Sequence, residues 1–348
     1  MGVIHPDITK ATTLPSNYYT EDGLYAKILE KFASTWNFVG HSAMFEKKTK
    51  QPTFIGTTPM VLTYDGESIR CMSNVCTHRG MVLLNKPNSG NSIICPYHGR
   101  MFNLCGDFKH MPEFDEVEGF PSPQDDLVNT KLENWHGLLF TTLNQLDNFA
   151  DYISAIEQRM GFLNLDDLKY DSSKERVHKI NTNWMLYVDN YLEGFHIPFV
   201  HNGLNDVLDY SQYETETFTN GVLQIGYAKD GESTFDIPKG HVDSGKSIAA
   251  YYWWLFPNLM LNFYPWGISI NVVRPIDVGV TEVKYYGFVL DEAKIDTGAG
   301  GDLDSVEFED QEIVEACYQG MKSRFYQQGR YSPKMEKGVH HFHRLITD

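Results

Sequence analysis

Cys76-Thr77-His78-Arg79-Gly80 and, with sixteen residues between His78 and Cys95, Cys95-Pro96-Tyr97-His98-Gly99 are the stretch on which the reading of this chain turns. Thiolates are soft ligands that select iron or zinc, and imidazole suits either metal. Zinc ribbons separate the paired ligands by two or more residues in both halves, and the Cys-x-His half is too tight for that habit. The surrounding residues read as short strands. Phe54 to Gly56, Met60 to Tyr64, Ser68 to Met72 and Ser92 to Cys95 are strand-like, with turns at Asp65-Gly66, Pro87-Asn88 and Ser89-Gly90. Two Cys/His loops projecting from a small all-β module can grip one metal centre from two sides.

The 348 residues leave room for a second domain. Beyond Tyr152 helical patterns (Tyr152 to Phe162, Trp184 to His196, Val306 to Gln327) alternate with aromatic-rich strands between Gly221 and Leu290, and Asp296 to Ser305 reads as a flexible surface loop. The fold class expected is therefore α+β: an N-terminal all-β domain, then an antiparallel sheet with helices packed on it. The divisions expected are 1–35 as an N-terminal segment on the second domain, 36–145 as the β-domain and 146–348 as the second domain. With 29 Lys and Arg against 46 Asp and Glu, the net charge is −17. Such a surface repels phosphate backbones and anionic lipid, so neither a nucleic acid nor a membrane surface is an expected partner. Tyr251 to Tyr264 is too short to cross a bilayer, and Met1 to Lys10 lacks a secretory pattern. Five cysteines at irregular spacing argue against a disulfide framework, and a cytoplasmic location is expected. Cys71, Cys105 and Cys317 read as small buried hydrophobes.

The spacing Cys-x-His…Cys-x-x-His is that of a Rieske [2Fe–2S] centre, in which Cys76 and Cys95 hold one iron and His78 and His98 the other. High-potential respiratory Rieske proteins resemble this motif but carry a disulfide cysteine in each loop. Met81 and Tyr97 stand at those places, which resembles the lower-potential centres of oxygenases and their ferredoxins.

A Rieske electron carrier needs only about a hundred residues, so the remainder has another task. In the pattern from Trp184, the residues Asp189, Glu193 and His196 fall at i, i+4 and i+7 and form one polar stripe. Pro198 ends or kinks the helix, so His196 and His201 can converge across the break. In the later helix, Asp310 shares a face with Ile313, Val314, Cys317 and Met321, while Glu309, Glu312 and Glu315 point away. An aspartate on a buried face needs a cation or donors. Two histidines and one carboxylate are the facial triad of non-haem Fe(II) oxygenases.

Together these residues resemble the terminal oxygenase (α) subunits of Rieske non-haem iron oxygenases, across Cys76 to His98, Asn183-Trp184 to His201 and Glu309-Asp310. The resemblance implies an N-terminal Rieske domain, a C-terminal helix-grip domain and a homotrimer. It also implies mononuclear Fe(II) on His196, His201 and Asp310, O₂ as co-substrate, and electrons from NAD(P)H through a separate flavin/iron–sulfur reductase or ferredoxin. Glu193, three residues before the first iron histidine, would bridge the mononuclear site to the Rieske histidine of a neighbouring subunit. Many members read Trp-x-Phe after the second His-Gly; here Arg100-Met101-Phe102 stands there.

The segment Asp189-Asn190-Tyr191-Leu192-Glu193-Gly194-Phe195-His196, with Pro198 and His201, is similar to the choline, glycine-betaine and carnitine oxygenase branch, as is Gly338 to Ile346. That branch implies hydroxylation or N-demethylation of a small quaternary ammonium compound. Such a cation is held by aromatic faces, and the candidates are Tyr251, Trp253, Tyr264 and Trp266, with Tyr252 and Trp254 on the opposite strand face. The alternatives are an aromatic-ring hydroxylating or O-demethylating oxygenase, and a non-enzymatic Rieske electron-transfer protein. His340, His341 and His343 read as ordinary surface or interface histidines, with His341 and His343 on one strand face.

Overall fold

The computed structural model describes residues 3–144, 146 and 148–348. The sequence-based domain end at residue 145 lies outside the described residues. The chain divides into two compact units, Phe32–Phe149 and the combination of residues 3–31 with Ala150–Asp348.

The first of these is all β apart from its ends and two short 3-10 turns, Ser42–Met44 and Pro123–Asp125. Its strands are β1 (Asn37–His41), β2 (Thr49–Ile55), β3 (Thr58–Tyr64), β4 (Ile69–Ser73), β5 (Asn88–Ser89), β6 (Ser92–Ile94), β7 (Met101–Asn103), β8 (Phe108–His110), β9 (Asn129–Trp135) and β10 (Leu138–Thr142). One sheet runs β1-β10-β9-β4-β3-β2-β5, and β6-β7-β8 form a second, smaller one. Pro52 explains why the sequence pattern shows only the end of β2. Proline cannot donate to a ladder, and here β5 pairs only with Thr49 and Lys50, so Pro52 sits on an open edge. Val61, Met72, Ile93, Phe102 and Leu127 fill the core beneath the two Cys/His loops.

The other unit holds helices α1 (Asn17–Thr20), α2 (Asp22–Ala33, whose last residues enter the first unit), α3 (Phe149–Met160), α4 (Trp184–Tyr191), α5 (Ile197–Val200), α6 (Asn202–Val207), α7 (Leu303–Met321) and α8 (Lys337–Thr347). Strands β11 (Lys169–Ile180), β12 (Glu214–Phe218), β13 (Gly221–Tyr227), β14 (Ile248–Leu255), β15 (Leu259–Tyr264), β16 (Gly267–Asp277) and β17 (Val280–Val289) make one antiparallel sheet in the order β11-β17-β16-β15-β14-β13-β12. β12 to β17 form a meander in chain order, and β11 adds at its edge. Helix α4 packs against β16, β17, α7 and α8. Together with the β-unit this is the α+β class expected from the sequence. No helix among the described residues is long and apolar enough to cross a membrane.

Several local expectations are corrected. The helix beginning at Trp184, capped by Asn183 Oδ1 accepting from Met185 N, ends at Tyr191 rather than near His196. The chain then turns through Glu193-Gly194, where a Cβ on Gly194 would lie 2.7 Å from the Tyr213 ring. Pro198 begins a new helix instead of ending the old one, consistent with its missing N–H. The stretch 296–305 is not a free loop: Ala299 and Gly300 are buried, and a Cβ on Gly300 would collide with Trp266 Nε1. Asp302 then caps α7 through Ser305 N. The buried face of α7 runs through Val314 and Tyr318, leaving Ile313 and Cys317 outward, while Cys71 is buried and Cys105 half-buried. Finally, His340, His341 and His343 lie on helix α8, because Val339, Phe342 and Ile346 set a helical period. His343 is a core residue, bonded to Asp189 Oδ1 (2.8 Å) and Tyr331 Oη (2.6 Å). Asp189 is therefore engaged there, also accepting from Tyr19 Oη, and does not continue the stripe of Glu193 and His196.

Candidate active site

The two Cys/His loops are built alike. In each, the cysteine N–H bonds to the carbonyl five residues on (Cys76 to Met81, Cys95 to Arg100, both 2.8 Å), and the glycine four residues on bonds back to the cysteine carbonyl. Gly80 and Gly99 take φ of +70° and +75°, a left-handed turn that costs other residues. This matched folding brings the His78 and His98 ring centroids to 4.9 Å. Cys76 and Cys95 are buried next to each other, and burial pushes the Cys76 thiol up. His98 Nδ1 is buried with no hydrogen-bond partner among the described residues. Two adjacent thiols and two adjacent imidazoles, one with an orphaned nitrogen, fit the donor set of a Rieske [2Fe–2S] cluster.

Arg100 is nearly fully buried beside this site. Its guanidinium bonds Asp125 Oδ1 (2.7 Å) and Asp125 O (3.2 Å) and lies 4.9 Å from the centroid of Phe108. Thr77 Oγ1 donates to the same Asp125 carbonyl, so Arg100 steadies the segment on which the first loop rests. Removing one member of a buried ion pair strands the other. Arg100→Ala is expected to destabilise the β-unit by about 3 kcal/mol, and Arg100→Lys to recover only part of it because it loses the planar fork. Urea denaturation followed by visible cluster absorbance measures both; unchanged midpoints would remove Arg100 from this role.

In the other unit the break between α4 and α5 brings His196 and His201 together, and α7 carries Asp310 across to them. His196 Nε2 lies 3.1 Å from His201 Nε2, and Asp310 Oδ1 lies 3.0 Å from His201 Nε2 and 3.6 Å from His196 Nε2. Three donor atoms thus converge on one point, as a metal ion requires. The far ring nitrogens are also engaged: His196 Nδ1 with Glu193 Oε1 (2.8 Å) and His201 Nδ1 with Glu309 Oε2 (2.7 Å). These carboxylates hold the proton on Nδ1 and turn both Nε2 lone pairs toward the shared point. The donor set fits a facial-triad Fe(II) site. Glu309 corrects the sequence reading, which aimed it away from the site. Burial disfavours a charged His201, but Asp310 and Glu309 outweigh it and raise its pKa.

A cavity opens onto the three donors. Tyr187, Tyr191, Tyr213, Tyr252 and Tyr264 form much of its wall, with Gln224, Asn262, Ser269, Asn271 and Glu307 supplying polar groups. Of the four aromatic candidates only Tyr264 reaches it. Tyr251 faces the other side of β14, bonding Asp243 and packing on Phe235, and Trp253 packs on Phe218. Trp266 stacks behind Tyr264. The strand alternation is as expected, but the cavity lies on the Tyr252 face. The sequence reading also missed Glu307, Tyr187, Tyr191 and Tyr213; helical phase with Asp310 points to Glu307, three residues earlier. Burial and the neighbouring Asp310 charge push the Glu307 carboxyl up to about 7, against bonds from Tyr187, Tyr285 and Asn271.

Comparison with known proteins agrees with this arrangement. Residues 165–348 match the model of the ring hydroxylating alpha subunit (catalytic domain), and residues 35–121 that of the Rieske [2Fe-2S] domain. The chloroplastic choline monooxygenase of Beta vulgaris is 28% identical over 96% of this chain and 76% of its own length. The carnitine monooxygenase oxygenase subunit of Escherichia coli (strain K12) is 29% identical over 97% and 94%. A solved quaternary ammonium Rieske monooxygenase, described with carnitine oxidation and inter-subunit electron transfer, superposes with a TM-score of 0.80 at 26% identity, covering 98% of this chain and 96% of that one. The chain belongs to the ring-hydroxylating oxygenase α-subunit family, with a Rieske [2Fe–2S] domain preceding a catalytic domain whose fold gathers His196, His201 and Asp310.

Proposed function

We propose that the chain is the terminal oxygenase component of a multicomponent monooxygenase that hydroxylates or N-demethylates a small quaternary ammonium compound. The observation that carries this reading is the tyrosine-walled cavity opening on the His196, His201 and Asp310 donors. Rings of this kind attract a cation that has no N–H to donate, and the choline- and carnitine-oxidising relatives support the same substrate class. When bound on Cys76, His78, Cys95 and His98, and on His196, His201 and Asp310, the cluster supplies single electrons and the iron supplies O₂ activation.

The chain's own residues orient and shield. Glu193 and Glu309 fix the two histidine tautomers, while Tyr191, Tyr213, Tyr252 and Tyr264 hold the cation against them and exclude water. The overall balance is C–H plus O₂, two electrons and two protons giving C–OH and water. Hydroxylation of an N-methyl group gives a carbinolamine, which collapses to an amine and formaldehyde. At an alcohol carbon it gives an aldehyde hydrate.

Electrons would come from a separate reductase. The exposed rings of Phe195 and Phe199 beside Glu193 support a neighbouring subunit over that face, as in a homotrimer in which Glu193 links the two metal sites. Domain limits of 36–145 and 146–348 and a cytoplasmic location belong to the same proposal.

The test is anaerobic reduction of the cluster, then exposure to O₂ while its visible absorbance is followed with choline, glycine betaine, carnitine or an aromatic acid present. A quaternary ammonium compound is expected to speed reoxidation and to yield aldehyde or formaldehyde. Acceleration by aromatic acids alone would replace this substrate class with ring hydroxylation. Two irons per chain after iron loading, with no acceleration, would point to an electron carrier.

A further inference from the structure

Glu307 is the one carboxylate of the cavity whose charge the described residues leave unmatched. Asp310 faces His196 and His201, Glu193 is bound to His196, and Glu309 to His201. Glu307 instead accepts from three neutral donors: Tyr187 Oη, Tyr285 Oη (2.7 Å) and Asn271 Nδ2 (2.9 Å). Among the described residues no Lys, Arg or His nitrogen lies within ion-pair distance of it, and no Lys or Arg lines the cavity. Three hydrogen bonds hold the carboxylate in place without cancelling its charge, and a charge enclosed by protein is costly until a counter-ion arrives. That cost is visible in its raised pKa.

The remaining polar groups say what the rest of the ligand offers. Gln224 Nε2 donates to Tyr191 O (2.6 Å), which fixes the amide and leaves Oε1 buried without a partner among the described residues. Tyr252 Oη is buried beside the Tyr264 hydroxyl. An amide oxygen can accept from a hydroxyl but cannot bond a carboxylate, which has no proton to give. A zwitterion would therefore bring its carboxylate into a cavity with Glu307, an idle acceptor and no Lys or Arg, its two histidines already turned toward Asp310.

We infer that Glu307 is the counter-charge for the substrate's ammonium group, and that this cavity selects a net cation with a neutral hydroxyl-bearing tail over a carboxylate-bearing zwitterion. This rests on the quaternary ammonium reading above and narrows it to amino alcohols.

Binding to the iron- and cluster-loaded protein under argon, measured by calorimetry, tests it with choline, glycine betaine and 3,3-dimethyl-1-butanol, the uncharged carbon isostere of choline. The wild-type protein is expected to bind choline at least about tenfold tighter than either of the others. Glu307→Gln is expected to weaken choline roughly 30-fold, to leave the isostere within about twofold, and to narrow the gap to glycine betaine. Equal weakening of choline and isostere would reduce Glu307 to a structural group and overturn the inference. So would wild-type binding of glycine betaine as tight as choline, a comparison that needs no variant. Binding of aromatic acids with none of the ammonium compounds is the separate outcome in which the underlying substrate class fails and takes this inference with it.

Discussion

His201→Ala is expected to lower the iron content from about three to about two per chain and product formation by at least about 10³-fold, while the cluster absorbance stays unchanged. His201 is the inner member of the triad, only 1% exposed, with its Nε2 within 3.1 Å of both other donors. Alanine removes the central ligand and strands the Glu309 oxygen that held its far nitrogen. Replacing Glu309 itself leaves all three ligands and should cost only the 10- to 100-fold typical of an outer partner. The cluster ligands lie in the other unit, so their spectrum reports independently. Iron analysis and visible absorbance on one sample decide the matter. Retention of three irons with normal turnover would remove this triad from the chemistry.

The two metal constellations were readable because metal chemistry restricts residue type, and short loops restrict spacing. Cys76 to His98 needs no knowledge of the rest of the chain, and the His196/His201 pair needs only a break between them. Asp310 came from a helical face that was itself misphased. The actual stripe buries Val314 and Tyr318, whereas Ile313 and Cys317 on the face expected from the sequence point outward. Glu309 was beyond reach for a different reason. Its partner His201 is 108 residues earlier, and only the packing of α7 on α4 brings the two together.

The aromatic wall failed for a physical reason. All eight residues of β14 are buried, so both faces are apolar and hydrophobicity carries no phase. Alternation separates Tyr251 and Trp253 from Tyr252 and Trp254, but which pair meets the cavity depends on the turns and helices that cover each face. Cover on the Tyr252 side comes from Ile197, Leu208 and Ala299, the last from a stretch whose glycines and aspartates read as a loop. Its glycine is a packing requirement against Trp266, a cause that composition alone does not reveal.

Glu193→Gln separates the role that the geometry gives this residue, holding His196, from the inter-subunit link proposed for it. One carboxylate oxygen sits 2.8 Å from His196 Nδ1, and the other accepts the backbone N–H of His196 (3.0 Å) and of Phe195. Two backbone donors from the turn before α5 therefore fix the side chain whether or not the ring is in place. Had tethering His196 been its only task, glutamine would weaken the hold and iron content would fall, with cluster reoxidation lost in proportion. If Glu193 also links the mononuclear site to a neighbouring subunit's cluster, iron stays near three per chain. Reoxidation of the reduced cluster by O₂ and substrate then slows by at least about 100-fold, the upper end of what an outer partner of a metal ligand contributes. The second outcome is expected, because glutamine keeps the length and one acceptor for the same backbone donors, while the anionic link is gone. Rapid-mixing absorbance, read beside iron analysis of the same preparation, distinguishes the two. Normal reoxidation with full iron would place the route between the metal sites elsewhere.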